Sequence, residues 1–270
     1  MSITTPAPRR TRVEALLADE QARFRAAHPR SVELAAQGQE SLLHGVPMPW
    51  MSRWAGSVPL YLERAHGSRV TDVDGRDYVD LALGDTGAMP GHSPAPVVYA
   101  VVDRIKTRGG ITTMMPTADA AVVAAELRRR WGLPSWQFAL SATDANRFVM
   151  RICRQTQQRP KVRIHQWSYH GSADETIAVR DPQTGASVAK PGNVGPAVAP
   201  HRTTGVIECG DVAGAQAELE TGQYACLLAE PALTNVGMVL PDDGYWPAIE
   251  EICRATGTLG GQPLADVALT

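Results

Sequence analysis

The stretch Tyr224-Ala225-Cys226-Leu227-Leu228-Ala229-Glu230-Pro231 decides the fold class. Residues 225–229 form an apolar run without polar alternation, which is typical of a strand that is covered on both faces, as in parallel sheets. Glu230 follows this run directly, and a carboxylate at the end of a buried strand is costly unless it is paired or used. Glu230 is therefore a candidate site residue, with a surface loop as the alternative interpretation.

Segments typical of strands and helices alternate on both sides of this run. We expect strands at 136–140, 162–166 and 205–208, each short and rich in apolar residues. Helix-like segments separate them, and strands separated by helices indicate an α/β fold with a mostly parallel sheet. The helices are predicted from Ala120, Val123, Leu127 and Trp131 at spacings of three and four, from the segment 145–157, and from Trp246, Ile249, Ile252 and Cys253 before Gly257.

The amino-terminal part has a different pattern. Residues 12–28 are helix-like, the stretch to Trp54 is irregular, and residues 59–80 alternate around the turn signal Asp74-Gly75. This alternation predicts a small antiparallel β-meander. We therefore expect an amino-terminal helix and meander segment over 1–92, an α/β part over 93–259, and a divergent tail over 260–270.

Composition limits the functional classes. The formal net charge of −2 gives no basic field for nucleic acid or anionic lipid. The four cysteines lack metal-binding or redox spacing, so we interpret them as buried thiols in a reducing compartment. Residues 1–12 lack the apolar core of a signal peptide, and no apolar run is long enough to span a bilayer, so a cytoplasmic location is expected.

Residues Ser141-Ala142-Thr143-Asp144-Ala145-Asn146 follow the first predicted strand and open a helix. Small residues leave backbone N–H groups accessible at a helix terminus that carries partial positive charge, and hydroxyls add donors, so the segment has the properties of a phosphate cradle. An ordinary N-cap formed by Thr143 or Asp144 is the alternative.

Residues Trp167-Ser168-Tyr169-His170-Gly171 follow the predicted strand 162–166. Ligands of open α/β sheets bind at the carboxyl ends of strands. An aromatic ring there can stack on a planar cofactor, and a histidine can hydrogen-bond it or transfer a proton. A loop whose aromatic residues simply pack is the alternative. The Gly-rich segment 84–92 is a weaker candidate, since a turn-rich connection explains it equally well.

In order, these segments resemble the class III pyridoxal-phosphate (PLP) aminotransferases, particularly the glutamate-1-semialdehyde aminomutase branch. The resemblance runs from about residue 56 to 259. Five motifs carry it: Asp72-Val73-Asp74-Gly75 in the meander, Gly91-His92-Ser93-Pro94, Ser141 to Ala145, Tyr169-His170-Gly171, and Ala229-Glu230-Pro231 with Gly237 and Gly244-Tyr245.

The resemblance implies a partial fold type I PLP-transferase large domain, with PLP as cofactor and no metal ion. Ser141, Ala142 and Thr143 would hold the phosphate, and Tyr169 would stack on the ring. His170 and Glu230 would lie beside it as the catalytic candidates. The substrates would be an amino donor and a carbonyl acceptor, and the protein would be a cytosolic homodimer. Ala142 replaces the family's usual glycine and Asp144 its glutamate, both mild changes.

The resemblance also implies two residues that this chain does not supply. The family's aspartate for the pyridinium nitrogen and its Schiff-base lysine lie beyond the last matching motif, where this chain has Gly260-Gly261-Gln262-Pro263 and an isolated Asp266. Of the three lysines, Lys106 falls on a predicted surface helix, Lys161 starts a strand and Lys190 lies in a Pro/Gly loop. We therefore expect a truncated and inactive relative.

Several alternatives remain open. The chain could be a non-catalytic PLP-binding protein or the dimer partner of an intact homologue, and a shifted reading frame would also explain the change after Leu259. A hydrolase using Ser141, His170 and Asp144 is disfavoured because the motif G-x-S-x-G is absent. Differences from the aminomutase pattern at 85, 86 and 89 suggest a substrate other than glutamate-1-semialdehyde; these residues are Asp85, Thr86 and Met89.

Overall fold

The structure is a computed structural model that describes residues 8–53, 56–109 and 114–260, with side chains from residue 12 onward. The chain divides into two compact units, Met1–Met114 and Met115–Thr270. The tail residues 261–270, including Asp266, lie outside the described residues. Within the described ranges, no helix has the length and apolar character needed to cross a membrane.

The first unit begins with two helices, α1 (Pro8–Ala27) and α2 (Pro29–Gly38). The helix predicted over 12–28 is confirmed. The irregular stretch predicted from there to Trp54 is wrong in part, because it contains α2 and the short 3₁₀ turns Leu43–Gly45 and Pro49–Arg53.

Helix α2 is capped from a distant part of the chain. The carboxylate of Asp74 accepts hydrogen bonds from the backbone N–H groups of Arg30 (2.7 Å) and Ser31 (3.1 Å) and from the Ser31 hydroxyl (2.9 Å). These bonds satisfy N–H groups that a helix leaves without intrahelical acceptors. Local sequence patterns do not show a cap that is 43 residues away, which explains why α2 was missed.

The predicted meander is present as an antiparallel sheet of β1 (Leu62–His66), β2 (Arg69–Asp72) and β3 (Asp77–Val79). The buried carboxylate of Asp72 organises the turn after β2 by accepting from the backbone N–H groups of Asp74 (3.0 Å) and Arg76 (2.8 Å).

The remainder of the first unit consists of a tight loop and an exposed helix. Gly84, Asp85 and Thr86 all have positive φ angles, between 54° and 71°, so this part of the Gly-rich segment 84–92 is a left-handed turn. Helix α3 (Ala95–Asp103) follows and continues into a π-helical turn, Arg104–Arg108, which contains Lys106.

The second unit contains five strands: β4 (Lys161–His165), β5 (Ala178–Arg180), β6 (Ser187–Ala189), β7 (Thr204–Ile207) and β8 (Tyr224–Leu228). Three of them form a parallel sheet with the order β7-β4-β8. Beyond β8, the backbone N–H of Leu259 donates to the Ala225 carbonyl (3.0 Å), and the Leu259 carbonyl accepts from Leu227 N–H (2.8 Å), so a further parallel pairing begins there. The predicted α/β fold with a mostly parallel sheet is confirmed. Strands β5 and β6 form a separate antiparallel hairpin.

Helices cover both faces of this sheet. The helices of the unit are α4 (Ala118–Trp131), α5 (Ala142–Gln157), α6 (Val212–Leu219) and α7 (Tyr245–Thr256). Met150 and Cys153 of α5 pack on one face of the sheet, and Leu219 of α6 and Ile249 of α7 pack on the other. The apolar run of β8 is thus covered on both sides, as its sequence predicts.

The strand predicted at 136–140 is wrong. The segment is not hydrogen-bonded to a strand of the described residues, and two of its apolar side chains are exposed, with relative accessibilities of 51% for Phe138 and 102% for Leu140. An extended segment becomes a strand only when a neighbour supplies backbone partners. The apolar pattern indicates that residues 136–140 favour an extended conformation, but none of the described strands lies beside this segment.

Candidate functional site

The amino terminus of α5 carries the predicted phosphate segment. The helix begins at Ala142, and the Ser141 hydroxyl caps it by accepting from the backbone N–H of Asp144 (3.1 Å). The alternative interpretation, a cap formed by Thr143 or Asp144, is wrong, because the helix starts three residues earlier than the predicted residue 145. Among the described residues, the backbone N–H groups of Ala142 and Thr143 have no hydrogen-bond acceptor. These free donors favour an anion at this end of the helix.

The loop after β4 is fastened to this helix end. Thr143 Oγ1 accepts from the backbone N–H of Ser172 (3.2 Å), and Asn146 Nδ2 donates to the His170 carbonyl (3.1 Å). Between them, Gly171 has φ +81°, and a Cβ atom added there would lie 2.1 Å from Thr143 Oγ1. Only glycine fits this close approach, which explains the Gly of the Tyr-His-Gly motif.

Glu230 joins the loop after β8 to the loop after β4. Its Oε1 accepts from the backbone N–H of Tyr169 (2.7 Å), and its Oε2 accepts from the backbone N–H and the hydroxyl of Thr234 (3.2 Å each). The carboxylate is thus paired, as the cost of placing it at a strand end requires. In this arrangement it fixes the backbone that carries the Tyr169 ring, which is itself 61% exposed.

Two buried histidines lie at this edge of the sheet, His165 as the last residue of β4 and His170 in the loop that follows it. Desolvation, together with the positive charge of Lys190, lowers the pKa of His170 to about 4, although a hydrogen bond to the Leu228 backbone opposes the shift. His170 Nε2 is buried and has no hydrogen-bond partner among the described residues. Desolvation, followed by the charges of His170 and Arg163, also lowers the pKa of His165 to about 4. Both imidazoles are therefore neutral at pH 7.

Lys190, which the sequence places in a Pro/Gly loop, lies next to the loop that follows β4. Its Nζ donates to the Ser168 carbonyl (3.4 Å) and lies 5.8 Å from the centroid of the Trp167 ring. Trp167, two residues after the end of β4, has φ +63°, an unusual backbone conformation for a bulky residue. A hairpin pattern around the turn at Asp181 and Gly185 is the sequence signal that could have located Lys190.

Not all predicted residues are joined by contacts. The Ser141 hydroxyl donates to the Asp144 carboxylate (3.1 Å), and no described contact links it to His170, so a Ser-His nucleophile pair is not formed. A cleft of about 470 Å³ at the same edge of the sheet contains none of the predicted site residues. It is lined by Gln166, Arg180, Asp181, Pro182, Gln183, Thr184, Gly185 and Glu208.

Comparison with known families matches residues 50–259 to the model described as "Aminotransferase class-III". The chain belongs to the class III aminotransferases. The family resemblance drawn from the sequence motifs is thereby confirmed.

Curated relatives support the same assignment. A glutamate-1-semialdehyde 2,1-aminomutase of Anaeromyxobacter sp. (strain Fw109-5) is 28% identical over 85% of this chain and 54% of its own length. The enzyme of the same name from Bordetella avium (strain 197N) is 30% identical, again over 85% of this chain and 54% of its own length. The chain thus spans about half the length of the curated relatives it matches.

Solved structures confirm the predicted fold type. A glutamate-1-semialdehyde aminomutase from Pseudomonas aeruginosa PAO1 is 43% identical with a TM-score of 0.86, over 93% of this chain and 55% of the other. A substituted form of that aminomutase, solved in complex with PMP, gives the same values. A transaminase with PLP bound is 26% identical, with a TM-score of 0.76 over 86% of this chain and 54% of the other.

Proposed function

We propose that this chain binds PLP and forms part of the site of a class III aminotransferase or aminomutase. The observation that carries the proposal is the set of hydrogen bonds that join three strand-end segments: Thr143 to Ser172, Asn146 to His170, and Glu230 to Tyr169. These bonds bring a helix amino terminus, an aromatic ring and a buried histidine to one edge of the sheet. The solved relatives that contain PMP and PLP support the same cofactor.

The residues present fit such a cofactor. The free N–H groups of Ala142 and Thr143 suit a phosphate, and the exposed ring of Tyr169 suits stacking on a planar heterocycle. When bound, PLP supplies an electron sink for amino-group transfer.

Each remaining residue has a role that follows from its contacts. Glu230 positions the Tyr169 backbone, which fixes where the ring can lie. His170 is neutral at pH 7, so its buried, unpartnered Nε2 would hydrogen-bond the cofactor without adding a charge. Ser141 caps the phosphate-binding helix and keeps its amino terminus in place.

We further propose that this chain alone does not complete amino transfer. The family resemblance implies that none of the three lysines occupies the Schiff-base position, and that the family's aspartate falls beyond the last matching motif. An amino donor and a carbonyl acceptor remain the substrates of the proposed whole site, in a cytoplasmic homodimer. The lysine pattern favours one second candidate, a non-catalytic PLP-binding protein or a dimer partner of an intact homologue.

Cofactor analogues test the proposal. We expect pyridoxamine 5′-phosphate (PMP) to bind at least about 10-fold more tightly than pyridoxamine, because only PMP carries the phosphate that the α5 terminus would bind. Isothermal titration of both ligands measures the ratio. Equal affinities would contradict a phosphate site.

A pair of variants in one helix locates the site. Thr143→Val removes a hydroxyl at the amino end of α5, whereas Thr156→Val removes an exposed hydroxyl in the last turn of the same helix. We expect the first change to weaken PMP binding several-fold and the second to leave it unchanged, with thermal melting as the check on folding. Equal effects of the two changes would place the ligand elsewhere.

A further inference from the structure

The surroundings of Lys190 are unusual for a lysine at a protein surface. Its ammonium makes one long hydrogen bond, to the Ser168 carbonyl at 3.4 Å, and among the described residues it forms no ion pair with a carboxylate. The Trp167 ring lies 5.8 Å from Nζ and covers one side of it. Lys190 is thus a partly buried amine that is held only weakly.

The backbone of Lys190 is fixed, although the sequence places it in a Pro/Gly segment. It follows β6 directly, and its N–H donates to the Ile177 carbonyl at 3.1 Å. Asn193 strengthens the junction, because its Nδ2 donates to the same Ile177 carbonyl at 3.0 Å. The hairpin therefore delivers this amine to the loop that carries Tyr169 and His170.

The other two lysines do not share this position. Lys161 opens β4 and so lies at the amino end of the strand, and Lys106 belongs to the π-helical turn of the other unit. Lys190 also interacts electrostatically with two predicted site residues. Its positive charge lowers the pKa of His170, and the negative charge of Glu230 acts to raise the pKa of Lys190.

We propose that Lys190 is an aldehyde-capturing residue that forms a reversible Schiff base with a phosphorylated aromatic aldehyde bound at the α5 terminus. The proposal rests on the proposed function, since it uses the same bound cofactor, but it assigns the covalent bond to a lysine outside the family's position. Lys190 would hold the cofactor through a covalent bond. This role does not require that the chain complete amino transfer.

The chemistry balances without an oxidant or a further reactant. The ammonium first loses a proton to water, and the neutral Nζ attacks the aldehyde carbon. A C=N bond forms, the C=O bond breaks, and the oxygen leaves as water with the two remaining amine hydrogens. Desolvation lowers the pKa of Lys190, which raises the fraction of neutral amine, and the single long hydrogen bond costs little to break.

Reductive trapping tests the assignment. The whole chain is incubated with substoichiometric PLP, reduced with sodium borohydride, digested and mapped by mass spectrometry. We expect at least about 10-fold more label on Lys190 than on Lys106 and Lys161 together. Even labelling of the three lysines, or preferential labelling of either other lysine, would overturn the proposal.

Matched variants sharpen the result. Lys190→Arg keeps the positive charge and should abolish the preferred label, whereas Lys161→Arg should retain it. Trp167→Leu should reduce labelling of Lys190 several-fold, because the ring that covers the amine is removed. Unchanged labelling in that variant would show that the Trp167 ring does not affect the reactivity of this amine.

PMP separates this proposal from the proposed function, because PMP carries the phosphate but no aldehyde. Tight PMP binding combined with an unlabelled Lys190 would overturn the Schiff base and keep the cofactor site. Absence of PMP binding, with equal labelling of Lys190 by PLP and by pyridoxal, would overturn the cofactor site and keep Lys190 as an aldehyde-reactive amine.

Discussion

The two ends of the parallel sheet use polar groups in opposite ways. At the amino end, Arg159 donates to the carbonyls of Tyr224 (3.2 Å) and Thr256 (2.9 Å) and to the Thr258 hydroxyl (3.4 Å). At the carboxyl end, His170 Nε2 has no partner among the described residues and Lys190 has one long hydrogen bond.

This difference indicates that the polar groups at the amino end stabilise the fold, whereas those at the carboxyl end are available for binding. Polar groups whose bonding capacity is used within the fold stabilise it, whereas groups left without partners are available to a ligand. The cationic side chain at the amino end ties β8 to the segment that follows α7. The free groups at the carboxyl end adjoin loops that are themselves firmly fastened by Glu230 and Thr143.

The largest expected effect is acid sensitivity of the carboxyl end. His165 and His170 have folded-state pKa values of about 4, below the ordinary value of 6.5, so the unfolded chain binds more protons between these values. Stability is therefore fully present above pH 6.5 and is lost as the pH falls toward 4, by about 2 kcal/mol per histidine between pH 7 and pH 5.

Urea unfolding at a series of pH values measures this slope. His165→Gln and His170→Gln should each remove about half of it. Acidic side chains such as Asp74 and Asp80, whose pKa values are lowered below 3.8, act at lower pH and do not interfere. A flat profile between pH 5 and pH 7 would show that the imidazoles are not buried as described.

A second prediction compares two glycines in left-handed conformations. Gly171→Ala adds a methyl group 2.1 Å from Thr143 Oγ1, whereas Gly222→Ala, before β8 at the amino end, meets nothing within 4 Å. We expect losses in the free energy of unfolding of about 3 kcal/mol and about 1 kcal/mol, because both positions strain alanine but only the first has a clash. Chemical denaturation measures both losses, and equal values would show that Thr143 does not exclude a side chain at position 171.

The sequence predicts elements that depend on local or evenly spaced features. The β8 run, the α5 and α7 patterns and the meander turn at Asp74-Gly75 all specify their structures through neighbouring residues. The segment 136–140 could not be judged this way, because a strand depends on a neighbour that the segment itself does not encode. The fixed position of Lys190 could not be derived from the sequence for a related reason, since it depends on the pairing of β6 with β5 and on Ile177.

A third prediction concerns the amino end. Arg159→Ala should lower the free energy of unfolding by about 2 kcal/mol, because two carbonyls and a hydroxyl lose a charged donor. Arg202→Ala, at an exposed position before β7, is the control and should change it by less than about 0.5 kcal/mol. PMP affinity should be unchanged in both, and a large loss of affinity in Arg159→Ala would show that the two ends are not functionally separate.

The smallest expected effect concerns Glu230. Glu230→Gln retains one carbonyl oxygen but turns an amide N–H₂ group toward a backbone donor, so we expect a loss of about 1 kcal/mol in stability and a few-fold loss in PMP affinity. Glu208→Gln, an exposed carboxylate after β7 at the same edge of the sheet, should affect neither. Calorimetric titration measures the PMP affinity of both variants. Equal affinities would contradict the positioning role of Glu230.

The Asp74 cap on α2 has a consequence for how the first unit assembles. Because a meander residue supplies the acceptors for the amides of Arg30 and Ser31, this helix end cannot be completed until a chain segment 43 residues away has folded back. Helix and meander are thereby joined in one cooperative opening event. In hydrogen–deuterium exchange, the amides of Arg30 and Ser31 should exchange at the same rate as the amides paired between β2 and β3. Fraying or independent unwinding of α2 would instead make the two helix amides exchange faster.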